Sequence, residues 1–175
     1  MKIVCLALLR TSDALNRIAI ILAAACVLAM FGVVFLQVIA RYVFASPPFW
    51  TEELGRWLMV WAALLGASVA FKFHADPSLV VVPRTHSARR RLQLAARMVA
   101  AWLFLAPVIY FSVPYVERQF GRLSEGLEVS TAWLALSLPV AAGLICFHAL
   151  AGLVRLLITD LPPEEQFEAV SLDME

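Results

Sequence analysis

Charge is what this sequence has least of. Asp, Glu, Lys and Arg make up 15% of its 175 residues and apolar residues 62%, whereas a soluble domain rarely exceeds half apolar. The scarcity is uneven. No charge falls in Ile18 to Ala40 (23 residues), Trp57 to Phe71 (15), Met98 to Val116 (19) or Val129 to Val154 (26). A helix needs roughly 20 apolar residues to cross a hydrocarbon core of about 30 Å. The Trp57 run alone reaches only about 22 Å. It spans by extending from Thr51 to Lys72, with Lys72 snorkelling to the headgroups at one end. Four spans leave almost nothing for a globular domain, so the expected fold is all-α integral membrane.

Other absences narrow the chemistry. Cys5, Cys26 and Cys146 form no CxxC pair, which removes a thiol oxidase. His148 is alone within the spans, since His74 and His86 fall in a basic loop; a b-type haem would want two facing histidines. No ligand cluster points to a metal. No Asp, Glu, Lys or Arg lies deep in a span, where ion-coupled carriers keep such residues despite a cost of about 3 kcal/mol or more. No glycine-rich broken helix offers backbone groups to a substrate. The apolar run Ile3 to Leu9 ends at Arg10 without a small-residue cleavage site, which argues against a signal peptide. What polarity the spans keep, at Gln37, Ser68, Ser112, Ser137 and His148, suits bonds to a neighbouring helix or to the helix's own backbone. The chain reads as a non-enzymatic accessory or scaffold subunit without a cofactor. The competing readings are a self-contained homo-oligomeric small carrier and an accessory subunit of a membrane redox enzyme.

Basic residues set the expected orientation. Alternate sides carry ten Lys and Arg against four, and the richer side faces the cytoplasm. The scheme is a cytoplasmic N-terminus (1–17), spans at 18–40, 51–72, 98–116 and 131–155, periplasmic loops at 41–50 and 117–130, a basic cytoplasmic loop (73–97) and an acidic cytoplasmic tail (156–175). Ser87 is placed to cap an interfacial helix that opens with three arginines and runs into the third span. Arg84, Arg89, Arg90 and Arg91 form a cluster suited to phospholipid, at roughly 1 kcal/mol per basic residue near an anionic surface. It is too short to suggest nucleic-acid binding. Ala62, Gly66 and Ala70 recur every four residues, a spacing that lets helices approach closely. Pro107, Pro114 and Pro139 are expected to bend the third and fourth spans.

The four-fold charge and tryptophan cluster between the first two spans is the most specific feature. Arg41, Glu52, Glu53 and Arg56 alternate there with Trp50, Trp57 and Trp61. Pro47 and Pro48 end the first helix, Thr51 is placed to cap the second, and both glutamates suit its positive N-terminal end. Glu52 and Glu53 lie four and three residues before Arg56, spacings that allow ion pairs, with Arg41 as a second partner. The tryptophans suit interfacial depth.

In full, Gln37-Val38-x-x-Arg41-Tyr42-Val43-Phe44, a proline turn, then Trp50-x-Glu52-Glu53-Leu54-x-Arg56-x-Leu58-x-Val60-Trp61 resembles the small membrane subunit of tripartite ATP-independent periplasmic (TRAP) transporters. The likeness extends from about Leu15 to Arg155. One departure is visible. Where many members continue Arg-x-Gly-x-His-Ile after the second span, this chain has Lys72-Phe73-His74-Ala75-Asp76-Pro77. The resemblance implies a place in the bacterial cytoplasmic (inner) membrane and a large membrane subunit as partner. That partner would carry the Na+ and substrate sites and move as an elevator, while the small subunit supports its scaffold. It further implies a periplasmic substrate-binding protein, organic anions as substrates and an ion gradient as the energy source. The charged cluster, Tyr42 included, would fix the periplasmic rim against the large subunit or offer a surface to the binding protein.

Overall fold

The structure, a computed structural model, describes residues 2–73 and 87–158. Its helices are α1 (Lys2–Tyr42), α2 (Trp50–Lys72), α3 (Ser87–Gln119), α4 (Ala132–Ala135) and α5 (Ser137–Ile158). Among the described residues there is no strand, only the isolated bridge between Leu123 and Ser130. Four segments are long and apolar enough to cross a membrane, at Leu6–Tyr42, Trp50–Lys72, Leu92–Gln119 and Ala132–Val154. Arg84 and the side chains of Arg89, Arg90 and Arg91 lie outside the description, as do residues 74–86 of the basic loop and 159–175 of the acidic tail.

α1 runs 41 residues without a proline, about 60 Å of helix, or twice the hydrocarbon thickness. The expected boundary at Arg17 is not a break in the backbone. Charges at Arg10, Asp13 and Arg17 interrupt the apolar run, but they do not interrupt the helix, because none of them opposes helical dihedrals. The helix ends where Ala45 takes φ 53° and the Ser46 N–H bonds Ala40 O at 3.1 Å. Pro47 and Pro48 follow and bar its continuation.

Two helical starts differ from expectation. Phe49, not Thr51, precedes α2, and no side chain caps it. Thr51 is buried and its hydroxyl donates to Pro48 O at 2.6 Å, so it secures the turn that enters the helix. The fourth span breaks at Leu136 into α4 and α5, and Pro139 falls in the first turn of α5. Leu136 keeps helical dihedrals and the Val140 N–H bonds Leu136 O at 3.2 Å, so the span is interrupted where Pro139 has no N–H to offer Ala135 O. Pro107 and Pro114 do lie inside α3.

α5 is the most enclosed span and α1 and α3 the least. α5 packs against α1, α2 and α3; α1 also packs against α2, while α3 joins the bundle through α5 and α4. The buried face of α5 is built from Ala141, Ala142, Cys146, Ala149 and Ala151, small side chains that bring neighbouring backbones close. Three serines in the spans are satisfied nearby: Ser68, Ser112 and Ser137 donate to Leu65 O, Ile109 O and Leu134 O at 2.7, 2.7 and 2.6 Å, whereas Asn16 Oδ1, Gln93 Oε1 and His148 Nε2 are buried without a partner among the described residues.

At the Lys72 end three contacts tie helices together. Lys72 Nζ meets Asp13 Oδ1 at 2.7 Å, where snorkelling alone was expected. Ser12 Oγ lies 2.8 Å from His148 Nδ1, both residues being buried. Arg97 donates to Phe71 O at 3.0 Å and sits 4.4 Å from the Phe71 ring centroid. These are not of equal weight. The Asp13 side chain is 68% exposed, and exposed pairs contribute less than about 1 kcal/mol. A buried imidazole nitrogen left without its partner costs about 1–3 kcal/mol. Ser12→Ala is therefore expected to lower the melting temperature of the detergent-purified chain more than Asp13→Asn does; the reverse order would contradict this ranking.

Candidate functional site

The charged cluster gathers at the opposite end, where α2 starts. Its carboxylates do not pair along their own helix. Glu52 Oε1 accepts from Gln37 Nε2 of α1 at 3.0 Å. Glu53 Oε2 accepts the Gly126 N–H at 2.8 Å, and the next N–H, of Leu127, is taken by Ser124 Oγ at 3.2 Å. Arg41 and Arg56 are exposed and close no ion pair among the described residues. The expected Glu52–Arg56, Glu53–Arg56 and Arg41 pairings are thus replaced by bonds between elements. Exposed charges four apart on one helix gain only about 0.2–0.5 kcal/mol from pairing. A half-buried carboxylate gains more from fixed backbone donors.

The loop that receives Glu53 is prepared for it. After α3, Ser124 N bonds Val129 O at 2.9 Å, Glu128 N bonds Ser124 O at 3.2 Å and Thr131 N bonds Arg122 O at 3.0 Å. Glu128 takes φ 52° to close the turn. The Thr131 hydroxyl holds Gln119 Oε1 at 2.8 Å, fastening the loop to the end of α3. A Cβ at Gly126 would stand 2.6 Å from Glu53 Oε2, the mobile end of that side chain, and 3.4 Å from Trp50 Cα, so a larger residue would push the carboxylate off its bond.

The tryptophans also turn inward, against the expected interfacial belt. Trp57 is buried and Trp50 and Trp61 are half-buried. Trp61 Nε1 donates to Trp133 O at 3.2 Å, linking α2 to α4. The exposed aromatics at this end are Tyr42, Phe44, Phe49, Phe120 and Trp133. Ala62, Gly66 and Ala70 are half-buried along α2, and a Cβ at Gly66 would meet nothing within 4 Å. Gln37 and Glu53 were legible as motif residues. Gly126 was not, because no local pattern links it to a glutamate 73 residues away.

Chemically, the site joins elements. Both glutamates are engaged by donors, and no group of three or more His, Cys, Asp or Glu among the described residues could hold a metal. The arrangement defines a four-span membrane bundle whose polar motif closes the rim between α1, α2 and the α3–α4 loop. The sequence places it more narrowly. Residues 30–159 match the model of the family described as "Tripartite ATP-independent periplasmic transporters, DctQ component". The chain belongs to that family, a transporter component of the bacterial inner membrane and not an enzyme. It is 24% identical to the sialic acid TRAP transporter small permease protein SiaQ of Vibrio cholerae over 144 residues, 82% of this chain and 83% of that protein. It is 28% identical to the sialic acid TRAP transporter permease protein SiaT of Haemophilus influenzae over 125 residues, 69% of this chain but only 20% of that one.

A mutation cycle tests the clasp. Gly126→Ala displaces the Glu53 carboxylate and is expected to cost about 1–2 kcal/mol, and Glu53→Ala, which removes the acceptor, a comparable amount. Because both remove the same bond, the double variant should cost clearly less than the two combined in thermal unfolding; full additivity would show that the residues are uncoupled.

Proposed function

We propose that this chain is the non-catalytic small membrane subunit of a secondary, Na+-coupled transporter that imports an organic anion, and that it supports the scaffold of a large membrane subunit. The observation that carries the reading is where the polar groups go. Every motif carboxylate is bonded within the chain, and no charge lies in the uncharged middle of any span. A substrate anion and its coupling cation need groups that this bundle spends on itself, so their sites belong to a partner, Na+ included. The match to SiaT supports such a partner: the segment like this chain is one fifth of that permease, leaving four-fifths for other work. The sialic acid named for both relatives is an anionic sugar acid and supports the substrate class.

In this reading both termini and the basic loop face the cytoplasm, so the Glu53 rim is periplasmic. Arg41 and Arg56, exposed on that rim, are the groups left to meet the substrate-binding protein, and the basic cluster meets phospholipid. A homo-oligomeric carrier and a redox subunit gain no comparable support; His148 bonds Ser12 through Nδ1 and its Nε2 has no partner among the described residues, but no second histidine lies in the spans to complete a haem site.

The test is reconstitution. Proteoliposomes holding this chain, its large subunit and the binding protein should take up the organic anion under an inward Na+ gradient, and vesicles holding this chain alone should not. Uptake by the lone chain would overturn the subunit reading.

A further inference from the structure

Two spans leave their outer surfaces uncovered, and those surfaces differ in chemistry. Between Ile18 and Ile39 every exposed residue of α1 is apolar, with Leu28, Phe31 and Phe35 among the most open. That surface asks nothing of its surroundings beyond hydrocarbon. α3 is different. Leu103, Pro107, Tyr110 and Pro114 are all exposed and follow one another at four, three and four residues, so they form one stripe along the helix.

Each member of the stripe presents a hydrogen-bonding group or frees one. Tyr110 is 74% exposed, and its hydroxyl has no partner among the described residues; its ring meets only Phe111, edge-on, at 5.3 Å. Pro107 and Pro114 lack the N–H that would bond the carbonyls of Leu103 and Tyr110, four residues earlier. All of this lies at hydrocarbon depth. Tyr110 is 13 residues from Arg97 and 8 from Arg118, about 20 Å and 12 Å along the axis. Helical side chains lean toward the N-terminus, which for α3 is the Arg97 end, so the phenol leans toward the middle of the bilayer and away from the nearer interface. Lipid tails offer no hydrogen bond, and freed polar groups in a span are tolerated where neighbouring helices satisfy them.

We propose that the α3 stripe Leu103–Pro107–Tyr110–Pro114 is the docking surface for the large membrane subunit, whose helices supply hydrogen-bonding groups to the Tyr110 hydroxyl and the freed carbonyls, and that the outer face of α1 lies against lipid. The proposal rests on the subunit reading above and adds the face. It also assigns the prolines a role. They open the backbone of α3 on the side where a partner closes it again.

The experiment places the photo-reactive p-benzoylphenylalanine singly at Leu103 or Tyr110 on α3, and at Leu28 or Phe35 on α1, in the chain co-expressed with its large subunit. Irradiation in membranes should join the two proteins from the α3 positions and not from the α1 positions. Tyr110→Phe, which removes only a hydroxyl that touches nothing in this chain, should lower co-recovery of the large subunit in mild detergent by about threefold or more, as measured for interhelical bonds in membranes. Cross-links from α1, from both faces or from neither, with the large subunit still recovered, would overturn the assignment of the face and leave the subunit reading standing. Unchanged recovery with Tyr110→Phe would overturn the role of the hydroxyl. Failure of the unmodified chain to recover a large subunit at all would overturn the subunit reading itself.

Discussion

Lipid tails cannot hydrogen-bond, and the structure follows from that constraint. Every polar group within a span must find a partner in protein or be carried to an end of the helix. This chain does both, except at Asn16 Oδ1, Gln93 Oε1 and His148 Nε2, which are buried without a partner among the described residues, and at the exposed Tyr110 hydroxyl. Its intramembrane serines bond back to their own helices, and its charges gather in two planes. Asp13, Lys72 and Arg97 mark one plane, with Ser12 and His148 bonded beside them. Gln37, Glu52, Glu53 and Gly126 mark the other. Between the planes the helices hold together by small residues on α5, since in lipid the hydrophobic effect does not drive helix against helix.

This distribution explains why a transporter component can lack the marks of transport. The motif looks like an active rim, with two carboxylates, two arginines and three tryptophans. In space the carboxylates and Trp61 join α1 to α2, α2 to the α3–α4 loop and α2 to α4. The motif therefore fixes where the helices end relative to one another. The arginines are the part left facing outward.

The architecture was largely legible in the sequence, because uncharged runs report spans directly and alternating basic loops report their order. The family motif was legible too, as residue types at fixed spacing. Three things were not. The clasp on Gly126 joins residues 73 apart, and neither local spacing nor charge pairing points to it; the i, i+4 rule pointed instead to Arg56. The inward turn of Trp57 and Trp61 was hidden because an interfacial and a buried tryptophan look alike in sequence. The length of α1 was hidden because hydropathy reports where a helix leaves hydrocarbon, not where it stops being a helix.

The Glu53 motif acts by holding elements of the bundle together. The most direct measurement is uptake by the reconstituted transporter carrying Glu53→Ala, followed across substrate concentration beside the thermal stability of the same sample. The account predicts a lower melting temperature and a lower maximal rate, with the half-saturating concentration unchanged. A changed half-saturating concentration at unchanged stability would contradict it, and would place Glu53 in contact with the transported anion or with the protein that delivers it.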